Sequence, residues 1–250
     1  MYINDTHIGF YLLVAIVGLG IGQLSDWMNK RLPENKRIFS RDIFREYKIE
    51  FKPNYILMLI TSAIYIGIVY KFGIQHDFIG NLNLIKYIIL TPMLLSAFVI
   101  DFKLQIIPNR LNLTMLEIGL VIAFIFGTSN IAITIDMLLG MLAGAGLFLV
   151  IMAIGSLIYG KQAMGFGDVK IIGALGLYFG VTNIAIISAI SLLIGAIIGL
   201  ILIISKKKKK DEYMPFGPFI VIAVFITIFI PAEILLNIVM NILTLGVYNK

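Results

Sequence analysis

The chain has no cysteine among its 250 residues, only two histidines and a single tryptophan. Without cysteine there are no disulfides and no thiolate-held zinc, and two histidines leave little for a histidine cluster. Charge is scarce as well. Asp, Glu, Lys and Arg make up 14% of the residues, against 60% hydrophobic and a mean hydropathy of +0.99. Soluble domains carry about a quarter charged residues, so this composition excludes an ordinary soluble globule and reads as a polytopic membrane protein. Basic residues are also missing ahead of the first apolar run, since Met1 to His7 holds no Lys or Arg. A cleaved signal peptide needs a basic start, so the first apolar segment is expected to stay as a helix.

What is present is a series of long apolar runs. A membrane-crossing helix takes about 20 mostly apolar residues. Segments near 8–25, 55–72, 84–101, 112–128, 134–159, 168–180, 183–205 and 217–244 approach that length. The fold class expected is all-α, with about eight transmembrane helices. The sixth run is short and meets the seventh through Gly180, Val181, Thr182 and Asn183, as a half-helix or a tight hairpin. Glycines at near-helical spacing, Gly140 and Gly144 in span five and Gly173 and Gly176 in span six, allow close helix packing.

Positive charge orders these spans. Of 20 basic residues, 17 fall in alternate connections: eight between Lys30 and Lys52, then Lys103, Arg110, Lys161, Lys170 and the run Lys206–Lys210. Only Lys71, Lys86 and Lys250 fall on the other side. Basic connections stay in the cytoplasm, so both termini are expected outside. This topology puts Asp101, ending span three, and Asp168, starting span six, at one cytoplasmic face. The basic residues are then a topology signal and imply no nucleic-acid partner. The lysine run reads as an anchor to anionic membrane lipid. The polar connection 26–54 interleaves Phe39, Phe44, Tyr47 and Phe51 with charges of both signs. It reads as a solvated linker or as a short amphipathic helix near 40–50 on the inner leaflet.

The chemistry centres on Gly165-Phe166-Gly167-Asp168-Val169-Lys170. An ionisable group at the rim of a span is a functional candidate, and its partner is the first question. Asp101, in Val99-Ile100-Asp101-Phe102-Lys103, is that candidate partner. Two carboxylates held close share one proton, so one acts as base on water and the other as acid on a scissile carbonyl. Gly165 and Gly167 allow a substrate backbone to approach and the chain to turn. The plain alternative is that each aspartate is a helix cap or an interfacial anchor.

Other residues join this constellation. Pro108 and Asn109 follow Asp101 closely, and Pro108 is expected to stop span three and set up span four. Lys170 suits a substrate carboxylate or lipid phosphate, or simply snorkels. Pro215, in Met214-Pro215-Phe216-Gly217-Pro218-Phe219, opens span eight with a fixed turn. Asp26, at the end of span one, suits a basic peptide or balances Lys30. Asp136 reads as the cap of span five.

Three motifs in register then resemble one family. Asp101 with Ile107-Pro108-Asn109, Gly-Phe-Gly-Asp-Val-Lys at 165–170 and Pro-Phe-Gly-Pro-Phe at 215–219 resemble the type IV prepilin peptidases. These are bacterial membrane aspartic proteases of the GxGD type. Gly22-Gln23-Leu24-Ser25-Asp26 with Lys30-Arg31-Leu32-Pro33 is similar to their N-terminal signature, Gly-x-x-x-Asn-x-x-x-Tyr-Arg-x-Pro. The resemblance implies Asp101 and Asp168 as the catalytic pair, with Gly165 and Gly167 as the motif glycines. It implies removal of a basic leader from prepilins and pseudopilins at the cytoplasmic face of a bacterial inner membrane. Proteolysis of this kind uses no cofactor. In many members the new N-terminus is then methylated from S-adenosylmethionine.

On this basis 1–54 is a reduced methyltransferase-like region and 55–250 the peptidase domain. The departures fall in the first part: Asp26 replaces the usual Asn, Lys30 the usual Tyr, and the paired cysteines of many members are absent. Two other readings stay open on the residues: a broader GxGD protease cutting inside spans, and a small ion- or proton-coupled transporter. The second would want its charges near mid-bilayer, whereas Asp101 and Asp168 sit at span ends.

Overall fold

A computed structural model describes residues 2–4, 6–34, 52–75, 77–160, 164–206 and 214–244. The expected amphipathic helix near 40–50, Lys161 and Lys207–Lys210 lie outside the described residues. Helices dominate: α1 (Ile8–Arg31), α2 (Tyr55–Phe72), α3 (Phe78–Leu104), α4 (Asn109–Gly127), α5 (Ile131–Tyr159), α6 (Phe166–Ile204), α7 (Gly217–Phe229) and α8 (Ala232–Leu243). The first six are long and apolar enough to cross a membrane. The remaining regular structure among the described residues is a two-residue antiparallel ladder, Tyr2–Ile3 against Thr6–His7. The protein is an all-α polytopic membrane protein.

The chain divides into two compact units, Met1–Ile100 and Asp101–Lys250. In the first, α1 packs on α2, where the Ser62 hydroxyl donates to the Ala15 carbonyl. The Tyr65 hydroxyl donates to the Ile88 carbonyl at 3.0 Å, tying α2 to α3. Each bond satisfies a polar side chain within an apolar helix.

In the second unit, α5 and α6 form the closest pairing. Gly140 and Gly176 face each other so tightly that a Cβ on either meets the other's backbone. Farther along, Gly144 lies against Ile172 and Gly173 against Ala145, so the two helices run antiparallel. The Tyr178 hydroxyl donates to the Met115 carbonyl of α4 at 2.7 Å. On α5, Thr134 does the same to Ala123 at 2.6 Å.

The 39 residues of α6 are not one straight rod. A continuous helix of that length spans about 58 Å at about 1.5 Å per residue, roughly twice the hydrocarbon thickness of about 30 Å. The run breaks at Gly180, whose φ of 70° and ψ of −178° are open to glycine alone among L-chain residues. Ile172 and Ile184, on either side of the break, both approach Gly144. Two residues that far apart on a straight helix cannot reach one point, so the chain turns back at Gly180. The tight hairpin, rather than a half-helix running on, is the observed form. Asp136 serves this turn. Its Oδ1 accepts from the Val181 N–H at 3.2 Å, at the start of the returning segment. The N-cap of α5 itself is Asn130, which accepts from the Ala132 N–H. Asp136 therefore caps a neighbouring helix, which corrects its assignment to span five.

The expected single span 217–244 is also corrected. It is two helices of 13 and 12 residues, α7 and α8. Pro231 forces the preceding Ile230 into extended backbone (φ −107°, ψ 135°) and lacks the N–H that would continue the helix.

Candidate active site

Asp101 lies one turn before the end of α3, where a negative charge gains nothing from the helix dipole. It is nonetheless 1% exposed. Its Oδ2 accepts a hydrogen bond of 2.8 Å from the Gly217 N–H, the first residue of α7. The start of a helix has free N–H groups, and Asp101 takes one of them. Pro218, next along, has no N–H to leave unpaired. Phe216 fixes this turn, its ring tilted against Phe148 of α5 and edge-on against Phe219. A Cβ at Gly217 would come within 2.8 Å of Asp101 Oδ2, so only glycine admits the carboxylate this closely.

Asp168 sits in the first turn of α6, with Gly165 as N-cap. Its N–H bonds the Gly165 carbonyl at 3.0 Å. The side chain is 2% exposed, and its Oδ2 is buried without a hydrogen-bond partner among the described residues. A carboxyl oxygen left unpaired in the interior is costly and gives no stability in return.

Both carboxylates line one cavity of about 370 Å³, close enough for their charges to interact. Gly165, Gly167, Asn109 and Lys170 line it too, together with Gln105, Ile106, Ile107 and Phe166. Lys170 donates to Asn109 Oδ1 at 2.7 Å and lies over the Phe166 ring. Pro108 is the N-cap of α4 and holds Ile107 and Asn109 to either side of it. The backbone of Gly167 is packed against Ile107.

Not every candidate joins this cavity. Pro215 precedes Gly217 by two residues, and the contact to Asp101 belongs to Gly217. Asp26 is in the Met1–Ile100 unit. It accepts a 2.6 Å hydrogen bond from Asn54 and pairs with Lys30 at 3.5 Å, beside a separate cavity that Lys52 also lines. Two residues of the aspartate cavity's surroundings carry roles that residue type alone does not announce. Gly217 acts through a backbone N–H. Asn112 donates to the Gly167 carbonyl at 3.3 Å and keeps its own Oδ1 buried and unpartnered among the described residues.

The sequence profile of the type IV leader peptidase family matches residues 88–200, a segment that holds both aspartates. The chain is similar to the "Prepilin leader peptidase/N-methyltransferase" of Legionella pneumophila, 37% identical over 140 residues. That alignment covers 55% of this chain and 47% of the relative. The protein of the same name from Xanthomonas campestris pv. campestris is 30% identical over 172 residues, covering 68% of this chain and 56% of the relative. The one from Neisseria gonorrhoeae is 27% identical over 163 residues, covering 65% and 52%. The chain thus spans about half the length of the curated relatives it matches. No solved structure matches it significantly.

Proposed function

We propose that this protein is a membrane aspartic endopeptidase that removes the basic leader of prepilins and pseudopilins, with Asp101 and Asp168 as its catalytic pair. The observation that carries the reading is the shared cavity: two buried carboxylates from separate helices, one held by a backbone N–H and one with a free oxygen. Asp101, stabilised by the Gly217 N–H, is suited to hold the negative charge and take a proton from water. Asp168 is suited to hold the shared proton and give it to the scissile carbonyl oxygen. Water then adds to the carbonyl carbon, and the resulting intermediate collapses as the leaving amine takes a proton back from the pair. Gly165 and Gly167 leave room for the substrate backbone, while Asn109 and Lys170 shape the rim. The cleavage site lies at the cytoplasmic face of a bacterial inner membrane, in line with the distribution of basic residues.

The test is cleavage of a prepilin substrate by purified wild type, Asp101→Asn and Asp168→Asn. Each variant is expected to lose about 10³-fold or more in rate while inserting normally. Wild-type rates from either variant would remove that residue from catalysis. A cut inside the apolar segment, rather than at the leader junction, would favour a broader intramembrane protease.

Methyl transfer is a second reading, favoured by the relatives' printed names. The described residues around Asp26 do not suit a cationic methyl donor such as S-adenosylmethionine. The Asp26 carboxylate is already engaged by Asn54 and Lys30, and Lys30 and Lys52 place two cations beside it. Methyl transfer is not part of the activity proposed for this chain. Label transferred from S-adenosylmethionine to the mature product would overturn that position.

A further inference from the structure

A second cavity of the Asp101–Lys250 unit is unlike the first. It is a groove of about 540 Å³ between α4, α5 and the part of α6 before Gly180, walled by Leu113, Leu142, Ala145 and Leu149. Several of its walls are open: Leu113 is 55% exposed and Leu142 63%. Its polar residues, Asn109, Asn112 and Lys170, stand in the first two turns of α4 and α6. Asn109, Phe166 and Lys170 also line the aspartate cavity, so the two spaces are continuous. Asn112, 4% exposed, lines the groove, and its Oδ1 is buried with no partner among the described residues.

A lateral apolar groove with Asn112 at its polar end, continuous with the cavity of the two carboxylates, matches one kind of occupant. The first four N–H groups of any helix lack partners within it. An apolar helix that starts just after the scissile bond would bring a free N–H to Asn112 and apolar side chains to the leucine walls. We propose that this groove receives the apolar helix of the substrate, with Asn112 Oδ1 capping that helix's first turn as a positioning residue. The proposal rests on the leader-peptidase reading and adds where the retained part of the substrate lies. A lipid acyl chain would fill the apolar walls equally well but has no N–H to offer Asn112.

The test uses the full chain in vesicles of phosphatidylethanolamine and phosphatidylglycerol. One substrate carries the leader and its complete apolar helix; a second carries the leader and only the first helical turn. Wild type should prefer the long substrate by about tenfold in kcat/KM, the scale of a filled apolar pocket. Leu142→Trp, which narrows the groove, should erase that preference through KM while the short substrate is cut as before. Asn112→Thr keeps one polar atom at this position and should raise KM less than its apolar counterpart. Asn112→Val, of the same shape without the hydroxyl, should raise KM for both substrates. Equal effects of Leu142→Trp on both substrates, or no effect on either, would overturn the groove assignment and leave the protease reading standing. So would a photoreactive residue at 142 that labels phospholipid alone. Failure of wild type to cut either substrate would overturn the protease reading itself, and the groove with it.

Discussion

Asp26 and Asp168 are the same residue in two settings. Asp26, in the Met1–Ile100 unit, has one oxygen bonded by Asn54 and the other paired with Lys30. Asp168, in the Asp101–Lys250 unit, is more deeply buried and has an oxygen that nothing described satisfies. A carboxylate whose oxygens are matched by the protein does structural work at low cost. One kept dry and unmatched is destabilising by itself, and makes sense where a reacting molecule supplies the missing partner. Asp101 stands between the two, with a donor from Gly217.

The contrast can be broken, and the aspartate-to-asparagine pair gives the largest expected loss. Next in size is Gly217→Ala. Its methyl would displace Asp101, and a shift of about 1 Å at a reacting group costs on the order of 10²-fold in rate. Wild-type cleavage by that variant would separate Asp101's position from the chemistry. Gly180→Ala should act on folding, costing about 1–3 kcal/mol for a side chain in glycine-only backbone. It also collides with Asp136. Thermal unfolding in detergent reads this loss, and an unchanged midpoint would show that the turn relaxes. The smallest effect belongs to Asp26→Ala, about 1 kcal/mol of stability from a part-exposed pair and one hydrogen bond. Cleavage should stay at the wild-type level. A tenfold rise in KM would instead make Asp26 a contact to the leader's basic residues.

How far the sequence reveals this arrangement depends on where each signal resides. The GxGD run, Asp101 and Ile107-Pro108-Asn109 are local, and each announces itself through residue type. The long apolar runs likewise give six of the helices. Gly217 stands in the Pro-Phe-Gly-Pro-Phe run, but its role is hidden because its contribution is a backbone N–H, which any residue but proline carries. Only the packed geometry shows that a Cβ would strike Asp101 there. Asn112 is hidden because an amide in an apolar helix looks like ordinary packing until its burial and missing donor are seen. The break at Ile230–Pro231 is open to view in the proline itself, within a run that is otherwise mostly apolar. Asp136 reads from the sequence as a cap of its own helix, whereas the donor it serves belongs to a segment 45 residues away.

The turn at Gly180 also settles a matter of parity. By reversing the chain once more, it returns the polypeptide to the end of the bundle it left at Gly165. Only from that end can Gly217 offer its N–H to Asp101. Straighten that one residue and the closing segment would be delivered to the opposite leaflet, leaving the carboxylate without its donor although every side chain around it was intact.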